Sequence, residues 1–523
     1  MTQANLYNAL RAGFPADLQA IAIETDDGLA YSWSDLERGS AMLANWIDSL
    51  QLPAASRMAV QVEKSVEVLM LYLASLRTGH IFLPLNPAYQ IAEVAYFLAN
   101  AEPAVVVCDP RQFSAVSKIA FQSGTQYVVT LDDQRGGSLL QRAAHHSDQH
   151  TPVHRQADDI AAIIYTSGTT GRSKGAMLSH GNLLSNAQVL HGYWGWRSSD
   201  VLIHALPMFH VHGLFVAIHG ALLSGSRMLW HKRFDPVRVL NDLPRATVMM
   251  GVPTFYTRLL ALPGLNPSAC ASMRLFISGS APMLVDTFEQ WKARTGHTVL
   301  ERYGMSETVM LTSNPYAPDD RYAGASQRIG GSVGFALPGV QVRIMSGDGK
   351  PALPSEVGSI QVKGPNVFAG YWRMPEKNAQ EFTADGYFIT GDMGTLDEKG
   401  YVRIVGRSKD LIISGGLNVY PAEIEDALNQ LPGVAESAVV GMPHPDFGEV
   451  GFAFVLSKPG AQLEPEQLLA ALKSQLANFK LPKHCQVLNE LPRNAMGKVQ
   501  KNVLREMTLK NVKGKSLSDN LDQ

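Results

Sequence analysis

The sequence predicts an α/β fold, with helix-covered mixed sheets in a large N-terminal domain and a small α+β domain towards the C-terminal end. Two observations carry this prediction. Short β-rich runs that end in small residues alternate with helical segments through the first half of the chain. From about residue 331, glycine and proline recur every few residues between alternating runs, which is typical of antiparallel strands. We therefore also expect a small β-barrel-like part in the large domain.

The N-terminal elements can be placed in order along the chain. Residues 58–79 combine a strand, a short turn and an amphipathic helix. Three further runs, at 104–109, 161–167 and 275–280, are short and β-rich and end in small residues. Such endings are typical where parallel strands open onto a ligand crevice. A binding site is therefore expected at the ends of these strands.

After the change of pattern near residue 331, a domain boundary is predicted within residues 406–416, a stretch rich in glycine and charged residues. A helical stretch, a strand pair and another helix follow it. We expect a large domain over residues 1–408 and a small domain over residues 409–523. About 115 residues are enough for an independent α+β domain.

Composition narrows the class of protein. The 523 residues include 45 Lys and Arg against 47 Asp and Glu, a formal charge of -2, and 46% are hydrophobic. These values argue against long disorder and against a dedicated nucleic-acid binder, which needs a basic excess. The three cysteines lie far apart and fit a reducing compartment. The first residues show no secretory signal, and no apolar run is long enough to span a bilayer. We expect a cytoplasmic protein without nucleic-acid or membrane partners.

Residues 165–175 read YTSGTTGRSKG and follow a buried-looking strand. Glycines let the backbone wrap closely around a ligand, hydroxyls and free N–H groups donate to phosphate oxygens, and a lysine adds positive charge. The segment lacks the Gly-Lys-Ser/Thr ending of a Walker loop. A solvated flexible loop is the alternative interpretation. The candidate phosphate ligands are Thr166, Ser167, Gly168, Thr169, Thr170 and Lys174.

Five more segments follow in a fixed order: SGSAP (278–282), ERYGMSET (301–308), TGD (390–392), GRSKDLIISGGLNVYPAEIE (406–425) and PRNAMGKVQK (492–501). With YTSGTTGRSKG, this set resembles the adenylate-forming superfamily, which contains acyl-CoA synthetases, peptide-synthetase adenylation domains and luciferases. The resemblance implies a reaction in which a carboxylate attacks the α-phosphate of ATP. The resulting acyl-adenylate then passes its acyl group to a thiol, with ATP, Mg²⁺ and CoA as the small-molecule partners.

The matching positions imply roles for individual residues. Glu307 resembles the magnesium ligand, and carboxylate oxygens suit that cation. Asp392 and Arg407 would hold the ribose, and Lys498 would reach the α-phosphate and the substrate carboxylate. Taken singly, these three residues could equally be a turn residue, a surface cation and a solvated lysine. The other implied nucleotide ligands are Gly279, Ser280, Ala281, Glu301, Arg302, Tyr303, Gly304 and Thr308, with Thr166, Glu307, His210 and Lys498 as the catalytic set.

The same resemblance implies that the C-terminal domain is mobile. Lys409 occupies the family's hinge position, and a hinge absorbs a large backbone change between two closed states. In one state Lys498 enters the active site. In the other, Gly415, Gly416 and Leu417 help to form a channel for the CoA arm. The sequence itself shows only the conformational permissiveness of glycine in this stretch.

Arg258 suggests the class of acid. It lies at helical spacing behind Pro253 on an otherwise apolar segment, so it needs a partner or a route to solvent. A second substrate carboxylate could pair with it, but a snorkelling arginine or a protein acid would also satisfy it. Segments such as HALPMFHVHGLF and MGVPTFYTRLL are close to malonyl-CoA synthetases. That resemblance implies that Arg258, helped by Ser280 and His210, holds the free carboxylate of malonate.

Some features of the sequence are compatible with acid substrates other than malonate. His210 could instead be an aromatic gate over the acyl site, and His212 has no clear role. The link between residues 313 and 334 is longer than usual for the group, and Val309, Met310 and Leu311 are more apolar than a small dicarboxylate pocket requires. A methyl-substituted malonate, another short acid or an aryl acid therefore remains possible. An adenylation enzyme that loads a carrier protein is a further alternative.

Overall fold

The computed structural model describes residues 4–166, 173–415, 417–445, 447–494 and 496–518. Two compact units divide the chain, Met1–Val342 with Val362–Phe388, and Arg343–Gln361 with Ile389–Gln523. The mixed α/β architecture with a larger and a smaller part confirms the predicted fold class. The predicted domain limit between residues 408 and 409 marks where the small domain is expected to turn during the reaction. A single structure does not test it, so it stays a prediction.

The described residues form strands β1 (Ile21–Thr25), β2 (Ala30–Ser32), β3 (Arg57–Gln61), β4 (Ile81–Pro84), β5 (Val105–Cys108), β6 (Tyr127–Thr130), β7 (Ile160–Thr166), β8 (Lys174–Ser179), β9 (Val201–His204), β10 (Arg227–Trp230), β11 (Val248–Gly251), β12 (Leu275–Ser278), β13 (Leu300–Tyr303), β14 (Thr312–Ser313), β15 (Phe335–Ala336), β16 (Gln341–Met345), β17 (Gly358–Lys363), β18 (Phe388–Leu396), β19 (Val402–Arg407), β20 (Ile412–Ser414), β21 (Leu417–Val419), β22 (Val434–His444), β23 (Gly448–Ser457) and β24 (His484–Leu488).

They also form helices α1 (Leu6–Ala12), α2 (Trp33–Ser49), α3 (Val66–Thr78), α4 (Ile91–Ala101), α5 (Phe113–Gln122), α6 (Ser138–Ala143), α7 (His180–Tyr193), α8 (His219–Ser224), α9 (Pro236–Asp242), α10 (Pro253–Leu260), α11 (Val285–Thr295), α12 (Pro375–Glu381), α13 (Pro421–Asn429), α14 (Pro465–Leu472) and α15 (Lys501–Ser518). A π-helical turn, His212–Ile218, precedes α8. Within the described residues, no helix combines the length and the apolar character needed to cross a bilayer.

One sheet of the first unit carries several of the predicted site residues. Its strand order is β15-β14-β13-β12-β11-β9-β10-β1-β2. Strands β9 to β13 are mutually parallel where they pair, whereas β14 and β15 continue the sheet in antiparallel fashion. Strands β11 and β12 are buried along their whole length, as expected for parallel strands covered on both faces. Trp291 of α11 packs edge-on against Tyr256 and Phe276 and closes this core.

A second sheet of the first unit carries the hydroxyl- and glycine-rich loop. Its order is β6-β5-β3-β4-β7-β8, and β8 is antiparallel to β7 whereas the strands before it pair in parallel. The loop between β7 and β8 therefore starts at the carboxyl-end edge of this sheet. Residues 58–79 form β3 and α3, as the sequence predicts.

The second unit is built largely from antiparallel strands. One sheet has the order β16-β17-β18-β19, and another has the order β21-β20-β23-β22, with β24 paired to β23. Strands β22 and β23 form a long antiparallel pair between α13 and α14. This order of helix, strand pair and helix confirms the prediction for the C-terminal domain.

Candidate active site

The loop predicted to bind phosphate joins two paired strands. Thr166 is the last residue of β7, and Lys174 is the first residue of β8 and its register partner. The hydroxyl of Thr166 lies 3.5 Å from the carbonyl oxygen of Lys174. The predicted ligands Ser167, Gly168, Thr169 and Thr170 lie outside the described residues. The structure thus locates both ends of the loop at the edge of the second sheet.

Lys174 extends towards two side chains of the first unit. Its ammonium lies 3.5 Å from a carboxylate oxygen of Glu381 and 4.4 Å from the centre of the Tyr371 ring. The lysine is therefore held by an ion pair and a cation–π contact at the start of β8.

Glu307, the predicted magnesium ligand, is buried and held from two sides. The hydroxyl of Tyr371 donates to its Oε1 at 2.9 Å, and the Phe368 amide donates to its backbone carbonyl at 2.8 Å. Thr308 beside it is also buried, and its hydroxyl has no hydrogen-bond partner among the described residues. A buried hydroxyl of this kind suits the predicted contact with phosphate.

The donor set around Glu307 fits magnesium. No cluster of three or more His, Cys, Asp or Glu side chains that could hold a metal occurs in the described part of the chain. Magnesium usually keeps several waters and binds through one or two carboxylates plus substrate phosphates. One buried carboxylate that is oriented by a hydrogen bond, as Glu307 is, is compatible with such a site.

The loop after β12 lies close to an arginine of β13. A Cβ added to Gly279 would lie 2.6 Å from Nε of Arg302, so any larger residue would require the guanidinium to shift. Ser280 has a φ of +70°, which is uncommon for a residue with a side chain and often marks functional sites. Its hydroxyl lies 3.3 Å from Nδ1 of His212. The loop therefore joins the ends of β12 and β13 to the π-helical turn.

Arg302 is a buried cation. The residue is 3% exposed, and its Nε and Nη2 atoms have no hydrogen-bond partner among the described residues. Desolvation lowers the pKa of its guanidinium to about 9. It remains charged at neutral pH, which is costly in a buried site unless an anion binds there.

His212 is fully buried at the start of the π-helical turn, and its Nε2 atom has no partner within the described residues. Burial, and then the charge of Arg302, hold the pKa of this imidazole well below its usual value. The neutral ring can therefore donate one hydrogen bond and accept another. Segments of π-helix often occur at functional sites.

The remaining predicted site residues of the first unit differ in burial and in their neighbours. His210 accepts a hydrogen bond at Nδ1 from the His212 amide at 3.2 Å, so it borders the same cluster. Arg258 on α10 is exposed, and its guanidinium lies 5.1 Å from the Phe234 ring. Ala281 follows Ser280 in the loop.

Residues of the ERYG segment lie on β13 and in the turn after it. Glu301 is buried, and its Oε1 accepts from the Gly331 amide at 3.1 Å. Tyr303 ends the strand. Gly304 packs so tightly against the carbonyl of Val309 that a Cβ would collide with it. The strand and turn therefore lead directly to Glu307.

In the second unit, Asp392 of β18 and Arg407 of β19 are register partners across an antiparallel pair. Nε of Arg407 lies 2.6 Å from Oδ1 of the buried Asp392. The ion pair holds the carboxylate in place, as a ribose-binding acid requires. The predicted ribose ligands are thus adjacent in the fold.

The two lysines with predicted roles in domain movement lie near this pair. Desolvation lowers the pKa of Lys409, and so does the neighbouring Arg407 charge. The pKa of Lys498 is lowered by the same two causes, although the residue keeps exposed surface. The backbone amide of Lys498 donates to Oδ1 of Asn494 at 3.0 Å, and the Asn494 amide donates back to its carbonyl at 2.9 Å. These two hydrogen bonds hold the backbone of Lys498 against Asn494.

Of the predicted CoA-channel residues, Gly415 directly follows β20 and Leu417 begins β21. Gly415 has a φ of +58°, and its amide donates to the carbonyl of Phe447 at 2.8 Å. Leu417 is 49% exposed, and Gly416 is outside the described residues. Their predicted role in a channel remains a prediction.

Comparison with known proteins identifies the family. A family model described as "AMP-binding enzyme" matches residues 11–372, and one described as "AMP-binding enzyme C-terminal domain" matches residues 423–498. The chain belongs to the AMP-binding enzyme family. The predicted activity of an AMP-forming acyl-CoA ligase, for which ATP and CoA are co-substrates, is confirmed at this level.

Known relatives of this AMP-binding enzyme span nearly its whole length. The ATP-bound MatB crystal structure from Rhodopseudomonas palustris has a TM-score of 0.93 and 52% identity, covering 97% of this chain and 99% of that one. Feruloyl-CoA synthase of an Amycolatopsis species is 35% identical over 484 residues, 91% of this chain and 94% of the relative. Malonate–CoA ligase of Arabidopsis thaliana is 33% identical over 484 residues, 86% of this chain and 78% of the relative.

Sequence reasoning found most elements of this AMP-binding enzyme but not all of their relationships. It assigned Arg302 to the nucleotide pocket without recognising that the guanidinium is buried and that two of its nitrogens lack partners among the described residues. It gave His212 no clear role and did not single out Tyr371. An arginine in the otherwise β-forming run VLERY was the available signal for the first. Nothing in the linear sequence connects Tyr371 with Glu307.

Proposed function

We propose that the protein is a malonate–CoA ligase, which converts malonate, ATP and CoA into malonyl-CoA, AMP and pyrophosphate through a malonyl-adenylate. The observation that carries the proposal is the buried guanidinium of Arg302, whose Nε and Nη2 atoms lack partners in the described part of the chain. The similarity to malonate–CoA ligases of Arabidopsis thaliana and Homo sapiens, each at 33% identity, supports it.

A second carboxylate on the substrate would resolve the charge imbalance around Arg302. A guanidinium and a carboxylate match in a planar, two-bond arrangement, and charge-assisted bonds of this type are strong in a desolvated site. The hydrogen-bonded pair of Ser280 and His212 offers one further donor beside it. A monocarboxylic acid would leave the cation unpaired, which penalises its binding. The cluster therefore favours an acid with two carboxylates.

Holding one carboxylate in this cluster leaves the other free to attack the α-phosphate of ATP. We assign the phosphates to Thr166, Lys174 and Thr308, and the ribose to Asp392 and Arg407. Magnesium bound at Glu307 would neutralise phosphate charge. Lys498 would stabilise the charge that develops between the carboxylate and the α-phosphate, which is the main form of catalysis open to a phosphoryl-type transfer.

A second candidate is a ligase for a short fatty or aryl acid. The 35% identity to feruloyl-CoA synthase and the buried apolar run Val309, Met310 and Leu311 favour it. The same run leaves room for methylmalonate. Loading of a carrier protein instead of CoA is a third, less favoured outcome. For malonate ligation we propose a cytoplasmic setting, which supplies ATP and CoA and keeps the cysteines reduced.

Pyrophosphate release across a panel of acids tests the proposal. We expect turnover with malonate and CoA, a lower or comparable rate with methylmalonate, and little with acetate, butyrate, coumarate or ferulate. Fast turnover with single carboxylates alone would keep the family and discard malonate. Pyrophosphate release without formation of a CoA thioester would point to a carrier-loading enzyme.

A further inference from the structure

Tyr371 contacts two parts of the nucleotide site that lie far apart in the sequence. Its hydroxyl donates to Oε1 of Glu307 at 2.9 Å, across 64 residues of chain. The face of its ring lies 4.4 Å from the ammonium of Lys174. Both Tyr371 and Glu307 are at least 95% buried. One side chain therefore connects the candidate magnesium ligand with the lysine that follows the phosphate loop.

Hydrogen bonds on both sides of Tyr371 hold its backbone in place. The Tyr371 amide donates to Oδ1 of Asn378 at 2.7 Å, and the Trp372 amide donates to the carbonyl of Gly175 on β8 at 2.8 Å. The Phe368 amide, three residues earlier, donates to the carbonyl of Glu307. The segment thus holds the carboxylate and the backbone of Glu307 together.

The contacts suggest how the carboxylate is oriented. A hydrogen bond to an ionised carboxylate is stronger than a neutral one, and in a buried site it selects one orientation of the acid. A cation over the ring draws electron density from the phenol, which makes its hydroxyl a better donor. Groups that hold a metal ligand from behind usually affect metal affinity 10–100-fold when they are removed.

We infer that Tyr371 is a positioning residue that orients the Glu307 carboxylate towards the magnesium ion bound with ATP. The inference rests on the proposed role of Glu307 as the magnesium ligand. It does not depend on which acid is activated.

The test uses the full-length protein and a Tyr371→Phe variant, which keeps the ring under Lys174 and removes only the hydroxyl. Calorimetric titration with ATP is carried out once with excess Mg²⁺ and once with EDTA, without any acid substrate. We expect Tyr371→Phe to weaken binding of the magnesium complex by about tenfold and to leave metal-free ATP binding unchanged. The ratio of the two dissociation constants does not depend on how much of the sample is folded, so partial misfolding does not obscure the result.

Tyr72→Phe is the matched control, because its hydroxyl is also buried and bonds to Nε2 of His219 at 2.9 Å. It should leave the ratio at the wild-type value. The Glu307→Gln variant distinguishes the positioning role of Tyr371 from the metal-ligand role of Glu307. If it abolishes the magnesium effect and Tyr371→Phe does not change the ratio, the positioning role is wrong. If Glu307→Gln keeps the magnesium effect, the proposed metal ligand itself is wrong.

Discussion

The guanidinium of Arg302 lies directly beneath Gly279, so close that a Cβ on residue 279 would come within 2.6 Å of Nε. The loop that follows β12 therefore packs on the cation in this way because residue 279 has no side chain, and a Cβ there would displace the guanidinium. This relationship connects the loop geometry to the proposed acid-binding cluster of Arg302, Ser280 and His212, because the Ser280 hydroxyl lies 3.3 Å from Nδ1 of His212.

Gly279→Ala should force the loop and the arginine apart. Overpacking of a buried site typically costs about 1–3 kcal/mol, and here the strain falls on the acid-binding cluster. We expect kcat/KM for malonate to fall at least tenfold in a pyrophosphate-release assay. Gly347→Ala is the control, because among the described residues other than its chain neighbours no atom lies within 4 Å of a Cβ at that exposed position, and its φ is not left-handed. Normal malonate use by Gly279→Ala would contradict the close packing.

Arg302→Met should separate stability from activity. Replacing a buried, unpartnered charge by an apolar side chain of similar size is often neutral or stabilising by about 1–4 kcal/mol. Removing one member of a buried charge pair with substrate costs about 2–5 kcal/mol, so we expect kcat/KM for malonate to fall roughly 100-fold. Thermal unfolding without substrate should occur at an equal or higher temperature. A variant that is less stable and fully active would refute both expectations.

Arg258→Ala tests the residue that the sequence favoured. Its guanidinium is exposed and contacts the Phe234 ring, an arrangement worth about 0.5–1 kcal/mol. We expect kcat/KM for malonate to change by less than about tenfold, far less than in Arg302→Met. The comparison is decisive because both variants are assayed with the same acids. A large loss in Arg258→Ala with little change in Arg302→Met would restore the sequence-based assignment.

Lys498→Ala should impair the first half-reaction, adenylate formation, and leave the second, thioester formation, nearly unchanged. The amine is proposed to act on the carboxylate and the α-phosphate, so adenylate formation should fall by several orders of magnitude. Conversion of supplied malonyl-adenylate and CoA to the thioester should continue at close to the wild-type rate. Lys501→Ala serves as the control, because Lys501 pairs with Glu425 at 2.6 Å. Equal loss of both half-reactions in Lys498→Ala would count against a role limited to adenylation.

Acid should destabilise the first unit through its buried histidines, His80, His180, His204, His212 and His219. Burial is the main cause that lowers the pKa of each, to about 4 for His80 and His180 and about 3 for His219. Below the unfolded pKa of about 6.5 the unfolded chain binds more protons, so stability falls as the pH drops from about 6.5 towards 4.

Urea unfolding at a series of pH values measures this effect. Each histidine contributes up to about 1.4 kcal/mol per pH unit within that window. His219→Phe should reduce the slope by up to one proton, whereas His145→Gln, at an exposed position, should not change it. A free energy of unfolding that is constant between pH 4 and 6.5 would contradict the prediction.

The sequence predicted those parts of the site that consist of local patterns. Strand β7 and the residues at both ends of the phosphate loop follow from an apolar run that meets glycines and hydroxyls. Asp392 and Arg407 were identified by motif, and the structure shows that they pair. Local patterns could not show which of Arg258 and Arg302 is the better candidate for binding the free carboxylate of the substrate. Both stand in apolar surroundings in the sequence, and only packing shows that one is exposed and the other is 3% exposed.

By itself, the sequence determined the family, the order of the strands and helices, and the residue types for nucleotide chemistry. Tertiary structure alone decided which side chains meet. Arg302 and Tyr303 point to opposite faces of β13 because side chains alternate along a strand, but only the pairing of β12 with β13 places Gly279 over the arginine. Tyr371 and Glu307 meet because the chain folds back on β8. Contacts between distant segments depend on how sheets and loops pack, and periodicity along the chain does not encode them.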